Sequence, residues 1–298
     1  LGVNKTDARK KVSPNTHRPQ NVVVISTPKP PPLPPEETQT LGTGAATFSA
    51  LWLAAYPVAI GYLSSSAARS DAAGAAFTGS PMGLIASASF ELLVFGLVFA
   101  AASLPHRRLL GGPYFRGFRL ASVGRGFAYS ILLRLGIGVA TFAAITALSG
   151  ITGQSVESLG GAAQPDVGAL VDIETLGQDP VYLTLNLTVV SFILGGLREE
   201  LWRAALFACL IARFPALDRS PAGQLLMAAS VAVVFGLGHL GQGVAAVFLT
   251  GALGLGLGWI LLRARSAWDA VFAHGFFNAT SFAALVALQR VAPDLLPQ

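Results

Sequence analysis

The chain has 298 residues, 53% of them hydrophobic and only 12% charged, with a mean hydropathy of +0.60; an ordinary soluble domain carries about 25% charged residues, so a water-soluble monomer is excluded. Its single cysteine, Cys209, rules out an internal disulfide and any cysteine-rich zinc site. The formal net charge of +5 does not point to nucleic acid, because all four lysines (Lys5, Lys10, Lys11, Lys29) lie near the N-terminus and the other basic residues read as topology signals.

Residues 1–43 contain no apolar block and include KPPPLPPEE at 29–37. That composition cannot bury a core and predicts a disordered, proline-rich cytoplasmic tail. Seven apolar blocks follow, at 44–63, 82–103, 127–148, 180–213, 221–240, 243–262 and 267–288. Each meets or nearly meets the crossing length of about 20 residues. The expected fold is therefore all-α: one polytopic transmembrane helix bundle of about seven spans over 44–298. Helix-start chemistry supports three blocks. Asp179 before Pro180 and Ser220 before Pro221 read as N-cap followed by proline, and Ser266 with Asp269 has capping-box spacing.

Charge between the blocks sets an orientation. With the tail inside, 15 of the 20 basic residues fall on the cytoplasmic side, including Arg107, Arg108, Arg116, Arg119 and Arg125. The segment 149–179 carries Glu157, Asp166, Asp172, Glu174 and Asp179 and no base, and is placed outside with the C-terminus. The fourth block is too long for a straight crossing: 34 residues would run roughly 51 Å against about 30 Å of hydrocarbon. Gly195 and Gly196, just before REELWR, are the expected break.

Ionisable groups inside a membrane are costly and are functional candidates by default. This chain places Arg198, Glu199, Glu200 and Arg203 in the fourth block, His239 at the end of the fifth, and His274 with Asn278 in the seventh. His274 and Asn278 are four residues apart and project from one helix face. A single histidine in a helix is ordinarily a satisfied structural donor. Two histidines on different spans with a Glu pair on a third point instead to water activation. A carboxylate and an imidazole can accept a proton from water, or hold a divalent metal that lowers its pKa, while an amide and a second imidazole can stabilise an oxyanion.

The ordered set Glu-Glu/Arg, then FxxxH at Phe235 to His239, then HxxxN at His274 to Asn278 resembles the CPBP family of intramembrane proteases, which includes the CAAX prenyl endopeptidases and bacteriocin-immunity relatives. The resemblance covers 180–290. It implies a membrane endopeptidase with Glu199, Glu200, His239, His274 and Asn278 as catalytic candidates and Arg203 as charge partner. A metal such as zinc would be held by Glu199, His239 and His274, with a metal-free mechanism as the alternative. The implied partners are a membrane-associated protein or peptide substrate and the bilayer, and the implied location is the bacterial cytoplasmic membrane. The first motif departs from the usual EExxxR by one residue. Aligned on the Glu pair, Glu199 is the water-activating carboxylate; aligned on the arginine, Glu199 becomes the second Glu.

Three structural features were expected elsewhere. Glu91 and Arg134 sit at comparable depth in the second and third spans and read as an interhelical ion pair. Gly251, Gly254 and Gly258 form a small-residue stripe able to draw the fifth and seventh helices together. His239, at the external end of its block, meets His274 only if the GHLGQG turn is sunk into the protein or the last helix is displaced. The competing functions are a proton-coupled or metal transporter and a catalytically silent immunity or partner-binding protein.

Overall fold

The computed structural model describes residues 43–69, 79–104, 114 and 117–292. Residues 1–42 of the predicted tail, together with His17, His106, Arg107, Arg108 and Arg116, lie outside the described residues. Every regular element described is helical. α1 (Thr43–Arg69), α2 (Pro81–Ser103) and α3 (Ala121–Thr152) come first, followed by two short helices, α4 (Val156–Ala162) and α5 (Ile173–Gln178). A continuous rod, α6 (Pro180–Arg213), leads to α7 (Pro221–Leu237), α8 (Val244–Ala264) and α9 (Ala267–Val291).

Six of these helices, α1, α2, α3, α6, α8 and α9, are long and apolar enough to cross a membrane. The protein is a polytopic helical membrane protein. α7, the expected fifth span, has only 17 residues and stops at Leu237, and a 3-10 turn at Leu240–Gln242 follows. Two of the three predicted helix starts are built as read. Asp179 accepts from the N–H groups of Val181 and Tyr182, and Ser220 from that of Gly223 at 3.0 Å. Ser266 makes no cap bond. Its expected partner Asp269 is taken by Arg125 of α3 in a two-pronged contact of 2.7 and 2.9 Å, a bidentate ion pair in place of a single carboxylate–amide bond.

The break predicted at Gly195 and Gly196 does not occur. Instead Asn186–Arg198 is a π-helix within α6, whose wider turns pack more residues into a given length and change the rotational phase of everything after them. The Ser191 hydroxyl donates to the Asn186 carbonyl at 2.7 Å and the Asn186 amide to the Tyr182 carbonyl at 2.9 Å. The glycines serve close approach. A Cβ on Gly195 would collide with the Asn278 side-chain amide, one on Gly196 with the Val271 carbonyl, and one on Gly275 with the Phe192 ring. α6 and α9 are thus in near-backbone contact along the stretch that carries the motifs.

α9 is also tied to α3. Arg134 does not pair with Glu91; it donates to the Phe277 carbonyl at 2.6 Å and to the hydroxyls of Thr280 and Ser281 at 2.8 and 3.0 Å. Glu91 of α2 pairs with Arg198 of α6. Equal depth was the wrong criterion, because α3 packs on α9 whereas α2 packs on the π-helical part of α6. The glycine stripe of α8 packs, as expected, on the fifth block, with Gly254 against the Phe235 ring of α7, and in addition on α6, with Gly258 against the Phe207 ring.

Candidate active site

Glu199 and Glu200 begin the α-helical half of α6, where the π-helix ends. Successive residues diverge by about 100°, so the two carboxylates face different neighbours. Glu200 is completely buried; its Oε1 accepts from the Arg203 guanidinium and lies 3.0 Å from His274 Nδ1. Glu199 Oε1 accepts from Arg198 Nη2 at 2.8 Å. Its Oε2 is buried, has no hydrogen-bond partner and lies 3.7 Å from His274 Nε2. One imidazole therefore stands between two carboxylates. Arg203, which on spacing alone could neutralise either Glu, is committed to Glu200.

His239 occupies the turn directly after α7. Its Nδ1 is 2.9 Å from the Phe235 carbonyl, which can only accept, so Nδ1 carries a proton and Nε2 is the free nitrogen of the neutral ring. The Glu200 carboxylate beside His274 likewise places a proton on its Nδ1, and His274 Nε2 faces Glu199. Phe235 organises the group further. Its ring centroid is 4.7 Å from that of His239 and 6.1 Å from that of His274, and the Arg203 guanidinium sits 4.5 Å over it. His239 is within electrostatic range of Glu199, His274 and Arg198. The FxxxH spacing thus has a local cause: one turn of helix brings the Phe235 carbonyl to the imidazole while its ring packs on both histidines.

The depth mismatch between the histidines is resolved by the short α7 and by its turn being covered. A Cβ on Gly61 of α1 would collide with the Leu237 carbonyl. On another side the Gln242 carbonyl accepts from the Asp166 N–H at 3.0 Å. Asn278 lies one turn beyond His274 with its amide against Gly195. The structure thus gathers Glu199, Glu200, His239 and His274, with Asn278 on the adjoining turn. Among the described residues no group of three or more His, Cys, Asp or Glu side chains is arranged to hold a metal ion. Arg198 as the clamp on Glu199 was not anticipated. Its place beside Glu199 in the chain was the available signal, but its link to Glu91 depends on how α2 docks.

Residues 180–280 match the family model described as type II CAAX prenyl endopeptidase Rce1-like. This segment is similar to Rce1-like domains. It contains α6 to α8 and the first half of α9, and with them every candidate site residue from Glu199 to Asn278. No curated protein and no solved structure matches the chain. The Rce1-like domain, set in apolar spanning helices, supports a membrane endopeptidase in general.

Proposed function

We propose that the Rce1-like domain hydrolyses peptide bonds of membrane-associated proteins or peptides with a water activated by Glu199. The observation that carries this reading is the buried, unpartnered Glu199 Oε2 lying 3.7 Å from His274 Nε2. That separation is one a bridging water spans. Arg198 occupies Oε1 and leaves Oε2 as the base.

In this mechanism Glu199 Oε2 takes a proton from water as its oxygen bonds to the peptide carbonyl carbon, and His239 Nε2 accepts the water's second hydrogen bond. His274, through the Nε2 that faces Glu199, and the Asn278 amide donate hydrogen bonds to the developing oxyanion. Glu199 then returns its proton to the leaving nitrogen as the C–N bond breaks. No step is routed through a metal. Charge partition gives the accompanying topology: tail and 104–126 loop in the bacterial cytoplasm, 149–179 outside.

Purified protein in liposomes, presented with a library of membrane-anchored peptides, tests the reading. Glu199→Gln is expected to lower cleavage by roughly 10²- to 10⁴-fold. Equal cleavage by wild type and Glu199→Gln would sink the mechanism. Loss of wild-type cleavage on chelator treatment, with recovery on adding zinc, would replace the metal-free scheme with a metal-assisted one.

A further inference from the structure

α1 precedes the Rce1-like domain in the chain, yet one of its turns is packed directly on the motif residues. Pro57 lies inside α1. Proline has no N–H, so the carbonyl four residues back, that of Leu53, loses its helical donor. An unsatisfied carbonyl at membrane depth is costly and must find a partner. Here Leu53 is completely buried, and the Trp202 indole of α6 donates to its carbonyl at 2.8 Å. Trp202 precedes Arg203 in the motif, and its ring centroid is 6.2 Å from that of Phe235, the residue whose carbonyl holds His239.

The same proline reaches His239 by a second route. A Cβ on Gly238 would stand 2.9 Å from Pro57 Cβ, so the proline ring rests on the residue immediately before His239. The preceding residue, Tyr56, is within electrostatic range of Glu91, Arg198 and Glu199. A proline in a span needs only some donor for its released carbonyl. Here the donor comes from the first motif and the ring abuts the second, so two separate contacts of one residue converge on one imidazole.

We propose that α1 is a working part of the site, with Pro57 and Trp202 as positioning residues that set the place of His239. The proposal rests on His239 belonging to the proton-transferring cluster, and its test carries a readout independent of cleavage.

Four proteins in lipid nanodiscs separate positioning from packing: wild type, Pro57→Ala, Trp202→Phe and the double variant. Pro57→Ala supplies an N–H that competes with the indole for the Leu53 carbonyl and removes the ring that rests on Gly238. Trp202→Phe strands the carbonyl. The double variant satisfies the carbonyl and removes the indole, so Tm falls in each single variant and recovers in the double. Side-chain ¹⁵N resonances of His239, read against those of His274, shift in all three variants. Cleavage of a peptide recovered from the library slows roughly 10- to 100-fold in kcat in all three, the scale of a small misplacement, with KM close to wild type. Return of kcat and of the His239 resonances to wild type in the double variant would reduce the contact to packing and overturn the proposal, as would unmoved His239 resonances in the single variants. If the wild type fails to cleave while the resonances shift as stated, the positioning role stands and the peptidase reading falls.

Discussion

The two histidines of the site are held in opposite ways. His274 stands in the body of α9, whose backbone is pressed onto α6 through Gly195, Gly196 and Gly275 and tied to α3 by Arg125–Asp269 and by Arg134. Its ring is anchored by a completely buried carboxylate. His239 is partly exposed on a turn after a 17-residue helix, anchored by a carbonyl of its own segment and by the docking of α1. One wall of the site is rigid because two long helices interlock. The other is placed by a helix from outside the Rce1-like domain, so changes remote from the motifs should act mainly through His239.

The sharpest way to break the rigid wall is Glu200→Gln. It leaves the Arg203 guanidinium in a site where Nε and Nη2 already lack partners, and removing one member of a buried pair costs about 3–5 kcal/mol. A large fall in Tm is expected, recovered in good part when Arg203→Met is added. Should Glu200→Gln instead leave Tm unchanged and abolish cleavage while Glu199→Gln cleaves normally, the two carboxylates exchange roles.

A smaller effect is expected one turn further along α9. Asn278→Ala should slow cleavage by roughly 10²- to 10³-fold, the usual loss for one oxyanion donor, with Tm little changed. Gly195→Ala drives a methyl group into the same amide and should slow cleavage in the same direction without altering any motif residue. Full activity of Gly195→Ala would show that the amide is not held where the chemistry needs it.

The smallest effects separate the two flanking arginines. Arg134→Gln removes bonds at an exposed position and should cost about 1 kcal/mol, with cleavage intact. In double-mutant cycles on Tm, Glu91→Gln should couple to Arg198→Gln and add independently to Arg134→Gln. Coupling between Glu91 and Arg134 would restore the pairing expected from sequence depth.

The features read correctly from the chain are local. Apolar blocks became helices, Asp179 and Ser220 with their following prolines became helix starts, and Glu199, Glu200, His239 and His274 of those blocks lie in one cluster. Composition and near-neighbour spacing determine such features, since each depends on residues within a turn or two of one another. The contested register of the first motif was not legible. The π-helix between Asn186 and Arg198 changes the phase of all that follows, and a helical wheel carried through it assigns Glu199 and Glu200 to the wrong directions.

The pairing of Glu91 with Arg198 was equally hidden, as was the engagement of Asp269 by Arg125 in place of a helix cap. Each depends on which helices lie side by side. By itself the sequence determined that this chain is a helical membrane protein with two Glu, two His and an Asn gathered late in it. Only the tertiary structure decided which carboxylate faces His274 Nε2, which is locked to Arg203, and that the Leu53 carbonyl released by Pro57 meets Trp202. The Glu200–Arg203 pair is local, but the choice between the two carboxylates and the Leu53–Trp202 contact turn on segments far apart in the chain, where a fraction of a helical turn decides the partner.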